Sequence, residues 1–146
     1  MLLTFALATF MVGLTVTIHF GGLLGLLWLL RGSGHRFRPH ESAAGQGAVI
    51  LIVVLGLVGI HTAEVWLYAL AYVAVGALHD FEAALYFSTT SFTTIGYGDV
   101  VLDHKWRLVG AIEGANGLLL FGWSTAFLIS VTGRMRVLEH DWLEKR

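Results

Sequence analysis

The sequence predicts an all-α membrane protein with three transmembrane helices and one short helix that enters the membrane without crossing it. Of the 146 residues, 56% are hydrophobic and only 13% are charged, and the mean hydropathy is +0.74. A soluble domain usually has about 25% charged residues. The hydrophobic residues also occur in long blocks instead of at helical spacing, which is typical of membrane spans.

Three segments are long enough to cross a membrane, since a spanning helix needs about 20 mainly apolar residues. We expect spans from about Leu2 to Leu30, from about Ala48 to Leu78, and from about Arg107 to Val131. The first has no Lys or Arg before its apolar run, and that run is about twice as long as the apolar region of a signal peptide. We therefore expect the first span to be retained as a helix.

The basic residues predict the orientation of the chain. Three arginines fall in residues 31–38, four Lys or Arg residues fall in residues 134–146, and only Lys105 and Arg107 lie elsewhere. The positive-inside tendency places the first two segments in the cytoplasm and the N-terminus outside. We predict a multi-pass protein of the plasma or inner cell membrane. Its parts are an N-terminal helix with a cytoplasmic loop (1–47), a central module (48–133) and a short cytoplasmic tail (134–146).

A short helix and an unusual heptapeptide lie between the second and third spans. Asp80 is a good N-cap for a helix over about 81–92, and Glu82 adds negative charge where the helix dipole favours it. Residues 93–99 then read Thr-Thr-Ile-Gly-Tyr-Gly-Asp, which we expect to return outward as an extended segment. Non-helical backbone at this depth is tolerated only inside protein or beside water, so we expect several copies of the chain around one axis.

Residues 94–99, Thr-Ile-Gly-Tyr-Gly-Asp, resemble the selectivity filter of potassium channels. Residues 48–133 resemble the two-helix pore module of prokaryotic potassium channels, with an outer helix, a pore helix, a filter and an inner helix in that order. The first span lies outside the resemblance.

The resemblance implies a homotetramer with C4 symmetry, because each chain contributes one filter strand. It implies that potassium ions, the only expected cofactor, bind the carbonyls of Thr94, Ile95, Gly96 and Tyr97 and the hydroxyl of Thr94. Gly96 and Gly98 would allow the backbone to keep these carbonyls facing the axis.

The residues expected to support the filter are Thr93, Asp99, Tyr86, Thr90 and Glu113. Many relatives have a pair of tryptophans in the pore helix, where this chain has Tyr86 and Phe87, and some have a glutamate where it has Thr90. Phe87 has no donor, so Asp99 is expected to lose two familiar partners. We therefore expect the filter to lose conduction more easily in low potassium.

In the third span, Leu118, Phe121 and Thr125 share one helical face and are expected to line the cavity below the filter. Gly117 falls where the family often has a hinge glycine, and close packing is the alternative reason for a glycine there. Gly110 and Gly114 have the spacing of a close helix contact, which packing against the pore helix explains equally well.

Ionisable residues within the spans are costly and usually face protein or water. We expect a contact between His61 and Glu64, which are three residues apart, and a contact from Glu113 to the pore helix. For His61, Glu64 and Glu113 the alternatives are a support or pH-sensitive contact behind the filter and a structural hydrogen-bonding role. His19 is expected to be a structural hydrogen-bonding residue. The first span either packs on the central module or recruits a partner, with the small residues Gly21, Gly22 and Gly25 as its contact face.

The leading functional interpretation is a potassium-selective channel. The alternatives are a weakly selective cation channel and an accessory subunit of a potassium uptake system. No set of residues resembles an enzyme site, so we expect no enzyme activity. We expect no nucleic-acid partner, no small-molecule substrate, and contacts with membrane lipid and with other copies of the chain. No helix has an arginine at every third position, so we expect no voltage sensor.

Overall fold

Four helices make up the described part of the chain. The computed structural model describes residues 1–37 and 43–133. The helices are α1 (Leu2–Phe37), α2 (Ala43–Ala74), α3 (Phe81–Phe92) and α4 (Arg107–Thr132), and these two ranges contain no strand. α1, α2 and α4 are long and apolar enough to cross a membrane, whereas α3 has only 12 residues. The predicted all-α fold class and the order of its helices are confirmed.

The end of α1 differs from the prediction. The helix continues beyond Leu30 to Phe37, so most of the basic segment expected to be a loop is helical. Arginine has a high helix propensity, and neither Gly32 nor Gly34 takes the left-handed conformation with which glycine commonly ends a helix. The rest of the expected cytoplasmic loop up to residue 42, and the tail over residues 134–146, lie outside the described residues.

A glycine ends α2 earlier than predicted. Gly76 has φ +68°, and its N–H donates to the carbonyl of Val73 at 3.0 Å. The N–H of Ala77 reaches the carbonyl of Tyr72 at 2.9 Å. This pair of bonds is the Schellman arrangement, in which a left-handed glycine satisfies the last helical carbonyls. The span therefore does not extend to Leu78, as the length of the apolar run had indicated.

The start of α3 agrees with the prediction. A carboxylate oxygen of Asp80 accepts a 2.9 Å hydrogen bond from the backbone N–H of Ala83, and Glu82 lies in the first turn. The cap satisfies a backbone donor that has no partner within the helix. It also fixes where the chain turns back into the helical bundle.

α1 packs along both α2 and α4 of the same chain, which is one of the two roles expected for it. Leu23 and Leu26 on α1 form an apolar cluster with Val53 and Leu57 on α2. At the other end of the helix, the hydroxyl of Thr4 donates to the carbonyl of Lys105, just before α4, at 3.3 Å. α1 is thus part of the same core as the helices of the central module.

Only one glycine of the expected contact face on α1 makes a close approach. A Cβ atom added at Gly22 would lie 2.5 Å from the side chain of Ile60, whereas Gly21 and Gly25 have open space. On the facing helix, Gly56 leaves room for the side chain of Leu26. The α1–α2 contact therefore uses one glycine from each helix, and the second of these was not predicted.

α3 lies against α4 through three glycines. A Cβ at Gly110 would lie 2.9 Å from the ring of Phe87, and a Cβ at Gly114 would lie 3.1 Å from the carbonyl oxygen of Ser91. A Cβ at Gly117 would collide with the backbone carbonyl of Phe92. Phe92 is the last residue of α3 and is fully buried. Since Gly117 is about 15 Å along α4 from its start, α3 reaches roughly the middle of that span. Packing accounts for Gly117, whatever part it takes in bending of the helix.

We predict that Gly117→Ala destabilises the protein by about 1–3 kcal/mol, because the added methyl group meets backbone that cannot rotate away. The matched control is Gly59→Ala on α2, where a Cβ meets nothing within 4 Å. That change is expected to stabilise by about 0.5–1 kcal/mol, the usual gain for a helical position. Thermal unfolding of both variants in detergent measures the difference. A Gly117→Ala protein that unfolds at or above the wild-type temperature would contradict the packing role.

Candidate functional site

The heptapeptide, residues 93–99, follows α3 directly and has backbone of alternating hand. φ is +60° at Thr94, +55° at Gly96 and +79° at Gly98, and no residue between them has a positive φ. A regular extended strand has negative φ throughout, so the segment is not a regular strand; the alternating backbone expected at Gly96 and Gly98 is present. Alternation of hand turns polar groups of successive peptides toward one side, as in the backbone concavities that bind ions.

The backbone donors of the heptapeptide are turned toward α3. The N–H of Thr94 donates to the carbonyl of Ser91, and the N–H of Gly96 donates to the carbonyl of Thr90, each at 3.0 Å. These bonds satisfy carbonyls at the end of α3 that would otherwise lack a partner. They also hold the heptapeptide against the helix that precedes it.

The carbonyls of the heptapeptide have no such partners. Within the ranges that the structure describes, no hydrogen bond is accepted by the carbonyl oxygens of residues 94–98. All residues from 94 to 99 are exposed, including Ile95 at 54% and Tyr97 at 70%. A row of carbonyls without donors is therefore available to a ligand or to another protein surface.

Thr94 has a strained backbone that the sequence did not reveal. A β-branched residue with positive φ is an uncommon outlier, and such a conformation costs on the order of 1–3 kcal/mol. Glycine is the usual signal for positive φ, and it pointed correctly to Gly96 and Gly98 but not to Thr94. Strain of this kind persists where the surrounding contacts require it and is often found at functional sites.

Tyr86 on α3 supports the end of the heptapeptide. Its hydroxyl donates to the Oδ2 atom of Asp99 at 2.8 Å, and the N–H of Val100 donates to Oδ1 at 3.1 Å. The Tyr86 hydroxyl is the main reason that the pKa of Asp99 lies below its usual value of 3.8. The same hydrogen bond raises the pKa of Tyr86. Tyr86 thus favours the ionised form of Asp99.

Two other expected supports, Thr90 in α3 and Thr93 at its C-cap, bond to the backbone of that helix. The hydroxyl of Thr93 donates to the carbonyl of Thr89 at 2.7 Å, and that of Thr90 donates to the carbonyl of Phe87 at 3.0 Å. Neither hydroxyl contacts Asp99 in these bonds.

Glu113 contacts α3, as expected, and also reaches α2. Its Oε1 atom lies 2.6 Å from the hydroxyl of Ser88, and its Oε2 atom accepts a 2.5 Å hydrogen bond from the hydroxyl of Tyr72. Ser88 also donates to the carbonyl of Val65 at 2.9 Å. The three side chains that meet here are fully buried. Ser88 and Tyr72 were not predicted, because serine and tyrosine are ordinary residues in apolar helices.

A count of hydrogen atoms indicates the protonation state of the Glu113 carboxyl group. The three contacts need three hydrogens, and the hydroxyls of Tyr72 and Ser88 supply two. If Ser88 donates to Val65, only a protonated Glu113 completes the set by donating to the Ser88 oxygen. A neutral carboxyl also avoids the cost of an ionised group in the interior of a membrane. The group links α2, α3 and α4.

The residues expected to line a cavity do not share one environment. Leu118 is 63% exposed and Thr125 is also exposed. Phe121 instead packs into the chain, with its ring centroid 4.3 Å from that of His61 and 5.7 Å from that of Phe92. The open face of α4 therefore includes Leu118 and Thr125, whereas Phe121 fills space between α2 and the end of α3.

Residues 60–134, just over half of the chain, match the model of a protein family described as "Ion channel". The matched stretch contains the second half of α2, all of α3, the heptapeptide and α4. No solved structure matches the chain. The part of the chain that this family shares is therefore the part that holds the heptapeptide and its contacts with α3.

We predict that Tyr86→Phe raises the pKa of Asp99, because it removes the largest cause of the lowered value. A lowered pKa means that the contact stabilises the folded protein above the usual pKa of aspartate. That stabilisation is lost as the pH falls through the lowered pKa, so in the variant the acid transition should move to higher pH. Carbon-13 NMR titration of the Asp99 carboxyl measures this shift.

The control for this titration is Tyr97→Phe, which removes a nearby hydroxyl that makes no described hydrogen bond to Asp99. Its Asp99 titration should stay close to that of the wild type. An Asp99 midpoint that does not move in Tyr86→Phe would show that the hydroxyl does not hold the carboxylate.

We predict that Glu113→Gln keeps the stability of the protein within about 1 kcal/mol, because an amide can donate to Ser88 and accept from Tyr72. Glu113→Leu has a similar size but leaves the buried Tyr72 hydroxyl without an acceptor, which costs about 1–3 kcal/mol. Thermal unfolding of the two variants tests this difference. Equal destabilisation by both changes would contradict a neutral, fully bonded carboxyl.

Proposed function

Because the chain belongs to this ion channel family, we propose that it forms a potassium-selective channel with the heptapeptide as its selectivity filter. The observation that carries the proposal is the row of carbonyl oxygens over residues 94–98, which accept no hydrogen bond in the described parts of the chain. A dehydrated cation needs oxygen ligands to replace its water shell, and a filter supplies them as backbone carbonyls.

Within this proposal, potassium ions bind between successive rings of carbonyls. The carbonyls of Thr94, Ile95, Gly96 and Tyr97 and the hydroxyl of Thr94 are the ligands, as the resemblance to potassium channels implies. The alternating sign of φ at Thr94, Gly96 and Gly98 supports this assignment, because it turns successive carbonyls to one side. Conduction requires each site to bind the ion tightly enough to admit it and weakly enough to release it.

We propose that four chains surround the pore, because a single chain leaves the filter incomplete. The segment at 94–99 is exposed on one chain, and exposed irregular backbone is not tolerated in the hydrocarbon part of a membrane. A groove of about 760 Å³ beside the filter, whose lining includes Thr90, Thr94 and Gly110, is where an adjacent chain would pack. The neighbouring copies would cover this groove and bring four filter strands to one axis.

The proposed orientation in the cell membrane follows from the basic residues. The end of α1 that carries Arg31 would face the cytoplasm, and the N-terminus and the segment between α2 and α4 would face outward. In this orientation α3 enters from the outside and ends near Gly117, in the middle of α4. The carbonyl end of the α3 dipole is then directed at the centre of the membrane, where it favours a cation.

Reconstitution of the full chain into planar lipid bilayers tests the proposal. With potassium on one side and sodium on the other, the reversal potential of a potassium-selective channel approaches the potassium equilibrium potential. A reversal potential near zero would favour a weakly selective cation channel. If the native mass shows a tetramer, four times the 15.9 kDa chain, and this tetramer carries no current, the result would favour an accessory subunit.

We predict that Gly96→Ala abolishes or strongly reduces the potassium current. Gly96 has φ +55°, and a residue with a Cβ pays about 1–2 kcal/mol for the left-handed conformation in each chain. Gly59→Ala is the matched control, because its Cβ meets nothing within 4 Å, and it should conduct normally. Native mass spectrometry checks that both variants assemble alike. A normal, selective current through Gly96→Ala would contradict the role of this residue in the filter.

A further inference from the structure

Four polar side chains from three helices form a closed ring of contacts. The Nδ1 atoms of His19 on α1 and His61 on α2 lie 3.0 Å and 2.8 Å from the two carboxylate oxygens of Glu64. Their Nε2 atoms lie 3.5 Å and 2.9 Å from the hydroxyl oxygen of Ser124 on α4. We call these residues the histidine–glutamate ring.

The ring is buried within the membrane-spanning helices. The side chains of His19, Glu64 and His61 are 0%, 0% and 12% exposed, and Ser124 is buried as well. Aromatic rings enclose it, with Trp123 at 5.3 Å from His19 and Phe121 at 4.3 Å from His61 between ring centroids. Ionisable groups in such a place are costly and are expected to have a specific partner.

When both histidines are neutral and Glu64 is ionised, the ring has one hydrogen too few for its contacts. The four contacts of the ring need four hydrogens. Two neutral imidazoles and one hydroxyl supply three, so one nitrogen lone pair faces an oxygen lone pair. The ring then also carries one uncompensated negative charge. Addition of one cation, either a proton or a metal ion, removes both defects.

The chemistry of the ring fits a transition metal ion. Two imidazoles and one carboxylate are the protein ligands of a known class of zinc sites, and one ligand atom from each of the three residues lies within 4.8 Å of the others. A metal between the Nδ1 atoms and the carboxylate would leave both Nε2–H groups free to donate to Ser124. Metal-binding histidines usually donate their second N–H in this way.

Zinc binding requires each Nδ1 atom to move a few tenths of an ångström away from the Glu64 oxygen that it contacts. Ligands about 2.0–2.1 Å from a tetrahedral zinc ion are about 3.3–3.4 Å apart, compared with 3.0 Å and 2.8 Å between the nitrogens and the Glu64 oxygens. A groove of about 340 Å³ between α2, α3 and α4 reaches His61. His61 is the partly exposed member of the ring, and this groove leads to it.

We propose that the histidine–glutamate ring binds one divalent transition metal ion of the zinc class, with His19, His61 and Glu64 as ligands and Ser124 as the acceptor behind them. The bound ion ties α1 to α2 directly and connects both to α4 through Ser124. If the chain is a channel as proposed above, the metal therefore holds the half of α4 that follows Gly117. The binding itself does not depend on that function.

Metal binding to the full-length protein, purified without a histidine tag in detergent, tests the proposal. Equilibrium dialysis against zinc should leave one more bound ion per chain in the wild type than in Glu64→Gln or His61→Ala. The chain has seven histidines, so the difference between proteins is the measured quantity. The matched control is His104→Ala, which changes an exposed histidine outside the spans and should keep the ion.

Two further measurements make the test specific. Cobalt bound in place of zinc should give the strong visible absorption of tetrahedral coordination in the wild type, and this signal should be absent in Glu64→Gln. Ser124→Ala should keep the site but weaken binding by about 10–100-fold, as expected for a residue that orients a ligand. Glu64→Gln decides the question if His61→Ala does not fold, because it preserves the size of the side chain.

Equal zinc binding by the wild type and Glu64→Gln would overturn the proposal. Failure of the wild-type protein to bind one zinc ion per chain would also overturn it, and would mean that the ring takes up only a proton. Because binding is measured without any current, loss of the metal proposal and loss of the channel proposal give different results.

Discussion

Polar groups within a membrane must find their partners inside the protein, and this constraint organises the structure. The backbone of α1, α2 and α4 meets it through helical hydrogen bonds. Buried side chains meet it too, since in the described residues no buried side-chain nitrogen or oxygen lacks a hydrogen-bond partner. The carbonyls of residues 94–98 do not meet it within the described chain, and they remain without donors at the end of a well-packed helix. These carbonyls therefore need ions, water or neighbouring chains as partners.

Local signals allowed much of this to be predicted from the sequence. The spans follow from apolar length, the start of α3 from Asp80, and the heptapeptide from its two glycines. The end of α2 was missed because the length of an apolar run says nothing about the conformation of Gly76. The strain at Thr94 was missed because threonine gives no signal for positive φ. The pairing of His19 with Glu64 joins residues on different helices, and no spacing along the chain encodes such a contact.

α1 lies before the stretch that matches the ion channel family, yet it supplies partners that the other helices need. Asn116 on α4 donates to the hydroxyl of Thr15 at 2.8 Å and lies 3.4 Å from the hydroxyl of Tyr68 on α2. Glu64 on α2 likewise contacts His19 on α1. Without α1, an amide and a carboxylate would each lose a partner in the interior of the membrane, at a cost of about 1–3 kcal/mol or more for each group. The added helix is therefore an integral part of the fold of this chain.

The contacts of α4 divide it into two halves with different neighbours. Gly110, Glu113 and Gly117 hold the first half against α3, close to the heptapeptide. Ser124 and the residues after it contact the ring and the apolar cluster between α1 and α2. Between them lies Gly122, where an added Cβ would meet nothing within 4 Å. Phe121 lies between these two sets of contacts, with its ring 4.3 Å from that of His61 and 5.7 Å from that of Phe92. In the proposed channel, α4 would then connect the ring to the contacts that hold α3.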